Sequence, residues 1–235
     1  CIRDRTVAFR SHITAKSLSV ENFVLKLPAT EIRPSDIFLS YDGFNDIPRA
    51  LKEGNHQFVI VDNTVSLSDF SWLLPDLHRY QEPLMLSVEA EGNSDRVDLR
   101  RLSLAMEGSD LFLDIKGEGS GLSDKDKFAF SIDDIKLRAG TEAVSEILRH
   151  VPSLTEKVGR IIRNTGDIEL TGSGYFKRAA AVAEADVNIL TSCGEIAISG
   201  KASGLRKGHA AFSGEASADR LDLGRMLDDK RIGVA

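Results

Sequence analysis

The sequence predicts a mainly β protein: a repetitive sheet of antiparallel type with two short central helices. Three observations predict it. Leu111, Leu113 and Ile115 fall on one side of an extended chain and Asp114, Lys116 and Glu118 on the other, with Phe112 the one apolar outsider. Period two over this length is a half-buried strand. The same alternation returns at Phe128, Phe130 and Ile132 and through much of the chain, whereas helical spacing is convincing only from Thr141 to Arg163.

Taken in order, Thr6 to Leu27 alternates with interruptions, which predicts two or three strands with tight joins. Pro28 ends the run, because proline cannot donate to a ladder. Ile37 and Leu39 suggest a short strand, and Asn45 to Gly54 a helical turn around Pro48. Phe58 to Leu67 is strand-like. Ser68 or Asp69 then offers a cap for a short helix that Pro75 limits, with Trp72 as a core anchor beside Leu73 and Leu74. Leu84, Leu86, Val88 and Ala90 alternate cleanly, and Gly92 to Asp95 make a turn.

Apolar parity then switches, from Val97 and Leu99 to Leu102, Leu104 and Met106, at Arg100-Arg101. It switches again between Ile132 and Ile135, at Asp133-Asp134. A side-chain period of two cannot change parity without an extra residue, so a bulge or break is expected at each doublet. Arg100-Arg101 is expected on a solvated edge, and Gly117 to Gly121 as a turn. Val144, Ile147, Leu148 and Val151 mark the first helix, capped by Thr141 and broken by Pro152. Ser153 to Glu156 is a capping box for the second, with Leu154, Val158, Ile161 and Ile162 inward. Ile168 and Leu170 resume the strands, Gly172 to Gly174 reads as a turn, and Ala179–Leu190, Ile196 with Ile198, Ala210 with Phe212 and Leu221 with Leu223 complete the series.

At 235 residues the chain has room for one large or two small domains. It reads as one elongated segment, divisible into a β-rich unit over 1–138 and a helical hairpin plus β-rich unit over 139–235. A net charge of −6 with scattered Lys and Arg argues against a nucleic-acid partner. No apolar run approaches the ~20 residues of a membrane-spanning helix. Cys1 and Cys193 make no disulfide framework. His12, His56, His78, His150 and His209 share no metal-ligand spacing. Gly194 to Lys201 departs from a P-loop in length and is followed by Ala202 where Ser or Thr is required. Asp133-Asp134 and Asp228-Asp229 are adjacent pairs whose side chains diverge, which suits acid–base chemistry poorly. The reading is of no enzyme, with no catalytic residue, cofactor or metal.

Three stretches share one grammar, an extended apolar segment that runs into a short helix: Val65 to Leu74, Ile135 to Val144, and Leu221 to Leu227. Such repetition suggests a quasi-linear β architecture. The order of Asp62-Asn63-Thr64-Val65-Ser66-Leu67-Ser68-Asp69-Phe70 with Leu73-Leu74-Pro75, then Leu113-Asp114-Ile115-Lys116-Gly117 with Gly121-Leu122, then Leu221-Asp222-Leu223-Gly224-Arg225-Met226-Leu227, resembles the TamB branch of the AsmA-like envelope proteins, of the Bacteroides type. The resemblance covers most of the chain and is weakest before Arg33.

The resemblance implies a long sheet curled into a groove with an apolar inner face. It implies a periplasmic course in a Gram-negative cell, an inner-membrane anchor, and a role in phospholipid transport or outer-membrane protein assembly. The far C-terminal domain by which such proteins meet an outer-membrane partner has no counterpart in this stretch, so partner binding is expected elsewhere. The sheet's apolar face needs cover, since each Å² left in water forgoes about 25 cal/mol, and two short helices cannot supply it. Phospholipid acyl chains are the partner that the resemblance adds. The residues expected to line their path are Leu86, Val88, Leu113, Ile115, Phe128, Phe130, Ile168, Leu170, Ile189, Ile196, Ile198 and Phe212. The residues alone equally allow an envelope scaffold or adhesion module whose face a second sheet closes.

Overall fold

The computed structural model describes residues 6–72, 78, 82–106, 110–124, 126–150, 159–204, 210–229 and 231–233. Thirteen strands lie in one antiparallel sheet. They are β1 (Thr6–Ile13), β2 (Ser17–Lys26), β3 (Glu31–Ile32), β4 (Pro34–Ser40), β5 (His56–Ser66), β6 (Pro83–Gly92), β7 (Arg96–Met106), β8 (Leu111–Ser120), β9 (Ala129–Ala139), β10 (Ile168–Lys177), β11 (Val182–Thr191), β12 (Gly194–Ser203) and β13 (Ala211–Asp219). Neighbours in sequence are neighbours in the sheet, except that β3 and β4 both bridge β2 and β5. The helices are α1 (Ile47–Glu53), α2 (Thr141–His150), α3 (159–164) and α4 (Leu223–Leu227). The mainly antiparallel β architecture expected from the alternation is therefore present, and no separate second sheet occurs among the described residues. The chain forms two compact units, one of Cys1–Glu107 with Ile115–Phe130, the other of Gly108–Asp114 with Ser131–Ala235.

Besides one slip between β4 and β5, where Pro34 pairs Ile60 but Asp36 pairs Val59, three irregularities hold the first unit's sheet in phase. β1 and β2 slip by one residue between Ala8 and Arg10, and Asn22 in β2 has a φ of 53°. β5 and β6 slip between Ile60 and Asn63, with Asp62 at φ 50°. Asn and Asp are the non-glycine residues that tolerate this left-handed conformation best. The third slip is in β7, where Glu89 pairs Arg101 but Ala90 pairs Leu99, so Arg100 is the extra residue. The bulge expected at Arg100-Arg101 is thus present. The doublet is not on an edge, however: β7 lies between β6 and β8, and Arg100 bonds Glu89 and Glu91 across the strand pair. Parity reports an extra residue but not its place in the sheet. Thr6 to Leu27 proves to be two strands, with the second interruption absorbed as the Asn22 bulge.

α1 sits where the helical turn was expected, and its Ala50 packs with Leu39 and Tyr41 against Leu18 and Ile47. Gly92 to Asp95 turns as expected, with Asn93 N–H donating to the Arg96 carbonyl at 2.7 Å. β5 runs into a 3-10 turn, Leu67–Phe70, but neither Ser68 nor Asp69 caps it. Asp69 instead accepts the Ala29 N–H at 2.9 Å. Trp72 is 68% exposed, so it is no core anchor; it lies in the turn beyond Phe70, off the sheet. Gly117 and Gly119 are buried within β8, and the turn begins only at Gly121, whose φ is 67°.

In the second unit, β10 passes straight through Gly172 and Gly174. The expected turn is absent because the neighbouring backbone of β11 lies where side chains would stand: a Cβ on Gly174 would meet the Glu184 carbonyl at 2.7 Å. α2 begins at Thr141, whose N–H and hydroxyl both donate to Asp167 at 3.0 Å. The terminus is thus satisfied by a carboxylate from 26 residues away, not by Thr141 itself. Ala139 and Val144 form a small core with Leu111, Ile162 and Ile168. Leu223 belongs to α4 and not to a strand, and Asp222 caps that helix by accepting the Arg225 N–H at 2.8 Å. All three predicted passages from extended chain to short helix are present, after β5, after β9 and at Leu221. Leu73, Leu74, Pro75, Cys1, Val151, Pro152 and the capping box from Ser153 to Glu156 lie outside the described residues. Cys193 is buried and unpaired, and its thiol donates to the Asn164 carbonyl.

The Asp62 bulge rests on one buried hydroxyl. Asp62 N–H donates to Ser87 Oγ, and that hydroxyl donates back to the Asp62 carboxylate, each at 3.0 Å. Ser87→Ala leaves the Asp62 N–H without this partner, so it should lower stability by about 1–3 kcal/mol. Urea unfolding monitored by circular dichroism checks this, and an unchanged midpoint would contradict the assignment.

Candidate functional site

Directly paired residues of an antiparallel ladder share a face, so the registers assign every side chain to one side. In the second unit the result is clean. Leu170 pairs with Ile189, Ile189 with Ile196 and Ile196 with Ala218. The next row is Gly172, Val187, Ile198 and Ala216, followed by Gly174, Ala185, Gly200 and Gly214, then Phe176, Ala183, Ala202 and Phe212. No charged residue stands on this face of β10 to β13. The opposite face carries Glu169, Tyr175, Glu184, Asp186, Glu195, Lys201, Glu215 and Asp219.

The six expected lining residues of this unit's strands β10 to β13 (Ile168, Leu170, Ile189, Ile196, Ile198 and Phe212) therefore share one face. Ile168 is partly covered by the small helical core. Ile198 and Phe212 are 43% and 77% exposed. Leu113 stands on β8 two residues from Leu111, which packs on that same core.

The first unit has its own apolar face. Val88 pairs with Ile60 and Leu102, and Leu86 with Asn63 and Leu104. Phe58, Ile60 and Val65 of β5, and Val97, Leu99, Leu102 and Leu104 of β7, share it once the two bulges are counted. Without them, half of each strand would turn its apolar residues to the polar side. Ile115 is on this face too: a Cβ on Gly119 of β8 would touch the Val97 side chain at 3.2 Å, and Ile115 has the same parity as Gly119. The Phe128 and Phe130 rings meet at a tilt of 46° with centroids 5.9 Å apart, and Phe130 is 38% exposed.

The row Gly174, Ala185, Gly200 and Gly214 is nearly bare of side chains. Its Ala185, Gly200 and Gly214 line an open hollow of ≈ 500 Å³ together with Ile198, Ala216, Ala202 and Phe212. Gly200 and Gly214 pair directly, and a Cβ on Gly214 would meet the Gly200 Cα at 2.7 Å. This hollow was missed, along with Val187 and Phe176. The signal was available: these glycines are in phase with the apolar residues of their strands, where glycine in a turn has no phase to keep. On the polar face, a second hollow of ≈ 640 Å³ is lined by Ser131, Asp133, Ser173, Tyr175, Asp186 and Lys201 among others.

The carboxylates of Glu31, Asp46, Asp124 and Asp229 are held below their ordinary range. Glu31 is held low by hydrogen bonds from Lys26 and then Arg33. Asp46 is held low by the Asp42 N–H and then Arg49. Asp124 is held low by the Asp126 N–H and then Lys127, and Asp229 by the Arg231 guanidinium and then the Arg231 N–H. Among the described residues, no three of His, Cys, Asp and Glu gather as a metal site, and no helix is long and apolar enough to cross a membrane. Comparison with protein-family models, with curated proteins and with solved structures found no match.

If the bare row is set by backbone approach, Gly214→Ala should cost about 1–3 kcal/mol by forcing β12 and β13 apart. Ala216→Ser, on the same strand, should be nearly neutral. Thermal unfolding of the two variants checks this, and equal melting temperatures would sink the explanation.

Proposed function

We propose that this chain is a segment of a TamB-type, AsmA-like envelope protein, and that its apolar sheet face carries phospholipid acyl chains. One observation supports this above others: within the second unit, four adjacent strands present an uninterrupted apolar face on which, among the described residues, Ile198 and Phe212 are exposed. Residues on that face would act passively. Ile189, Ile196 and Ile198 replace the bilayer interior for an acyl chain, the bare glycine row lets the chain lie close to the backbone, and no bond is made or broken. The charged opposite face would remain in periplasmic water. The resemblance supplies the envelope context, a periplasmic course between the two membranes, with phospholipid transport or outer-membrane protein assembly as its purpose.

The test is native mass spectrometry of the chain purified from bacterial cells, with mild detergent exchange as control. Phospholipid should be retained at defined stoichiometry. In the Ile198→Arg/Phe212→Arg variant, retention should fall at least about tenfold, since a guanidinium against acyl chains costs more than ~1.4 kcal/mol. Both positions are exposed, so folding is not at risk. A lipid-free mass for the wild-type chain would sink the proposal and leave a scaffold or adhesion role.

A further inference from the structure

The polar side of the second unit carries a hollow of its own, ≈ 640 Å³ in volume, spread over the face of β9 to β13. Ser173, Asp186, Ser199 and Glu215 stand side by side in one cross-strand row. Tyr175, Glu184, Lys201 and Ser213 make the next. Ser131 and Asp133 of β9 close one side. All of these residues belong to the second unit. Lys201 pairs with Glu184 at 3.6 Å. Among the described residues, Asp186 and Glu215 take part in no ion pair, and both are exposed, as is Tyr175.

The chemistry of the lining narrows what it can hold. The carboxylates of Asp133, Glu184, Asp186 and Glu215 outnumber the one ammonium, Lys201, which disfavours phosphate and other anions. No three acidic groups gather as a metal site among the described residues. Asp186 and Glu215 have β12 between them, a separation of two strand spacings or about 10 Å. No single ammonium fits both, and one exposed ion pair is worth at most about 1 kcal/mol. What the rows supply is hydrogen bonding in both senses: the serine hydroxyls donate and accept, and the carboxylates accept. A ligand hydroxyl on a carboxylate makes a bond roughly twice as strong as a neutral one. Neighbouring strands lie about 4.8 Å apart, close to the length of one sugar ring. A sugar chain laid along a row therefore meets a fresh polar side chain at every strand, and the Tyr175 ring offers an apolar plate to the C–H face of one sugar. We propose that this hollow binds a neutral oligosaccharide, held by Asp186, Ser199 and Glu215 and flanked by Tyr175. The site lies opposite the apolar face and does not depend on lipid binding.

Isothermal titration of the full chain with maltohexaose, cellohexaose and mannohexaose tests this, with spermidine as the cationic comparison. At least one hexasaccharide should bind, and its affinity should survive raised salt, which screens ion pairs but not bonds to a neutral sugar. Tyr175→Ala and Asp186→Ala should each weaken that binding at least tenfold. The apolar-face variant Ile198→Arg/Phe212→Arg should bind the sugar like the unaltered chain, which separates this site from the lipid reading. Tyr175 and Asp186 are exposed, and unchanged circular dichroism would verify the fold. The rows read hydroxyls whichever sugar bears them, so silence from all three hexasaccharides would overturn the proposal. Binding of spermidine in their place, or sugar binding indifferent to both single substitutions, would overturn it too.

Discussion

The two-residue phase of the backbone ladder is the constraint on which the rest depends. A sheet of this size keeps one apolar side only if every strand enters its pairing in phase with the last, because a slip of one residue sends a whole strand's apolar set to the wrong side. In the first unit the sequence itself is out of phase in β2, β4, β5 and β7. Each time, one extra residue is absorbed, and two of the four irregularities carry Asn or Asp in the left-handed conformation. Ser87, under the Asp62 bulge, satisfies the N–H that the interrupted ladder releases. The second unit needs no such correction from β10 to β13, where registers run unbroken.

Once the phase is kept, the two sides of each unit behave differently. On the polar side, ion pairs such as Arg138 with Glu169 and Lys201 with Glu184 stitch neighbouring strands or flank them. They are exposed and contribute little to stability, but they keep that side wetted. On the apolar side, among the described residues, the helices pack over strand ends: α1 over Leu39 and Leu18, α2 and α3 over Ala139 and Ile168. Away from those ends, apolar side chains such as Ile198 and Phe212 are exposed. A face left in that condition is a binding surface or a liability, and its interruption by an in-phase glycine row gives it relief that a plain packing surface does not need.

What the sequence by itself determined is local. Alternation identified most strands and the side that each buries, and the parity switch at Arg100-Arg101 announced its bulge. Six of the proposed lining residues fall on one face of β10 to β13 for that reason. Tertiary structure decided what depends on a distant partner. Gly172 and Gly174 looked like a turn because glycine is a poor strand former; they are strand because the backbone of β11 lies too close for any side chain. Arg100-Arg101 looked like an edge because its charges suit one, yet β8 covers that side. Thr141 looked like its own cap, whereas Asp167 holds it from 26 residues away, and Asp69 bonds Ala29 across 40. Periodicity is carried by each strand's own residues, whereas caps, strand neighbours and bare patches come from backbone and side chains that only pairing brings alongside.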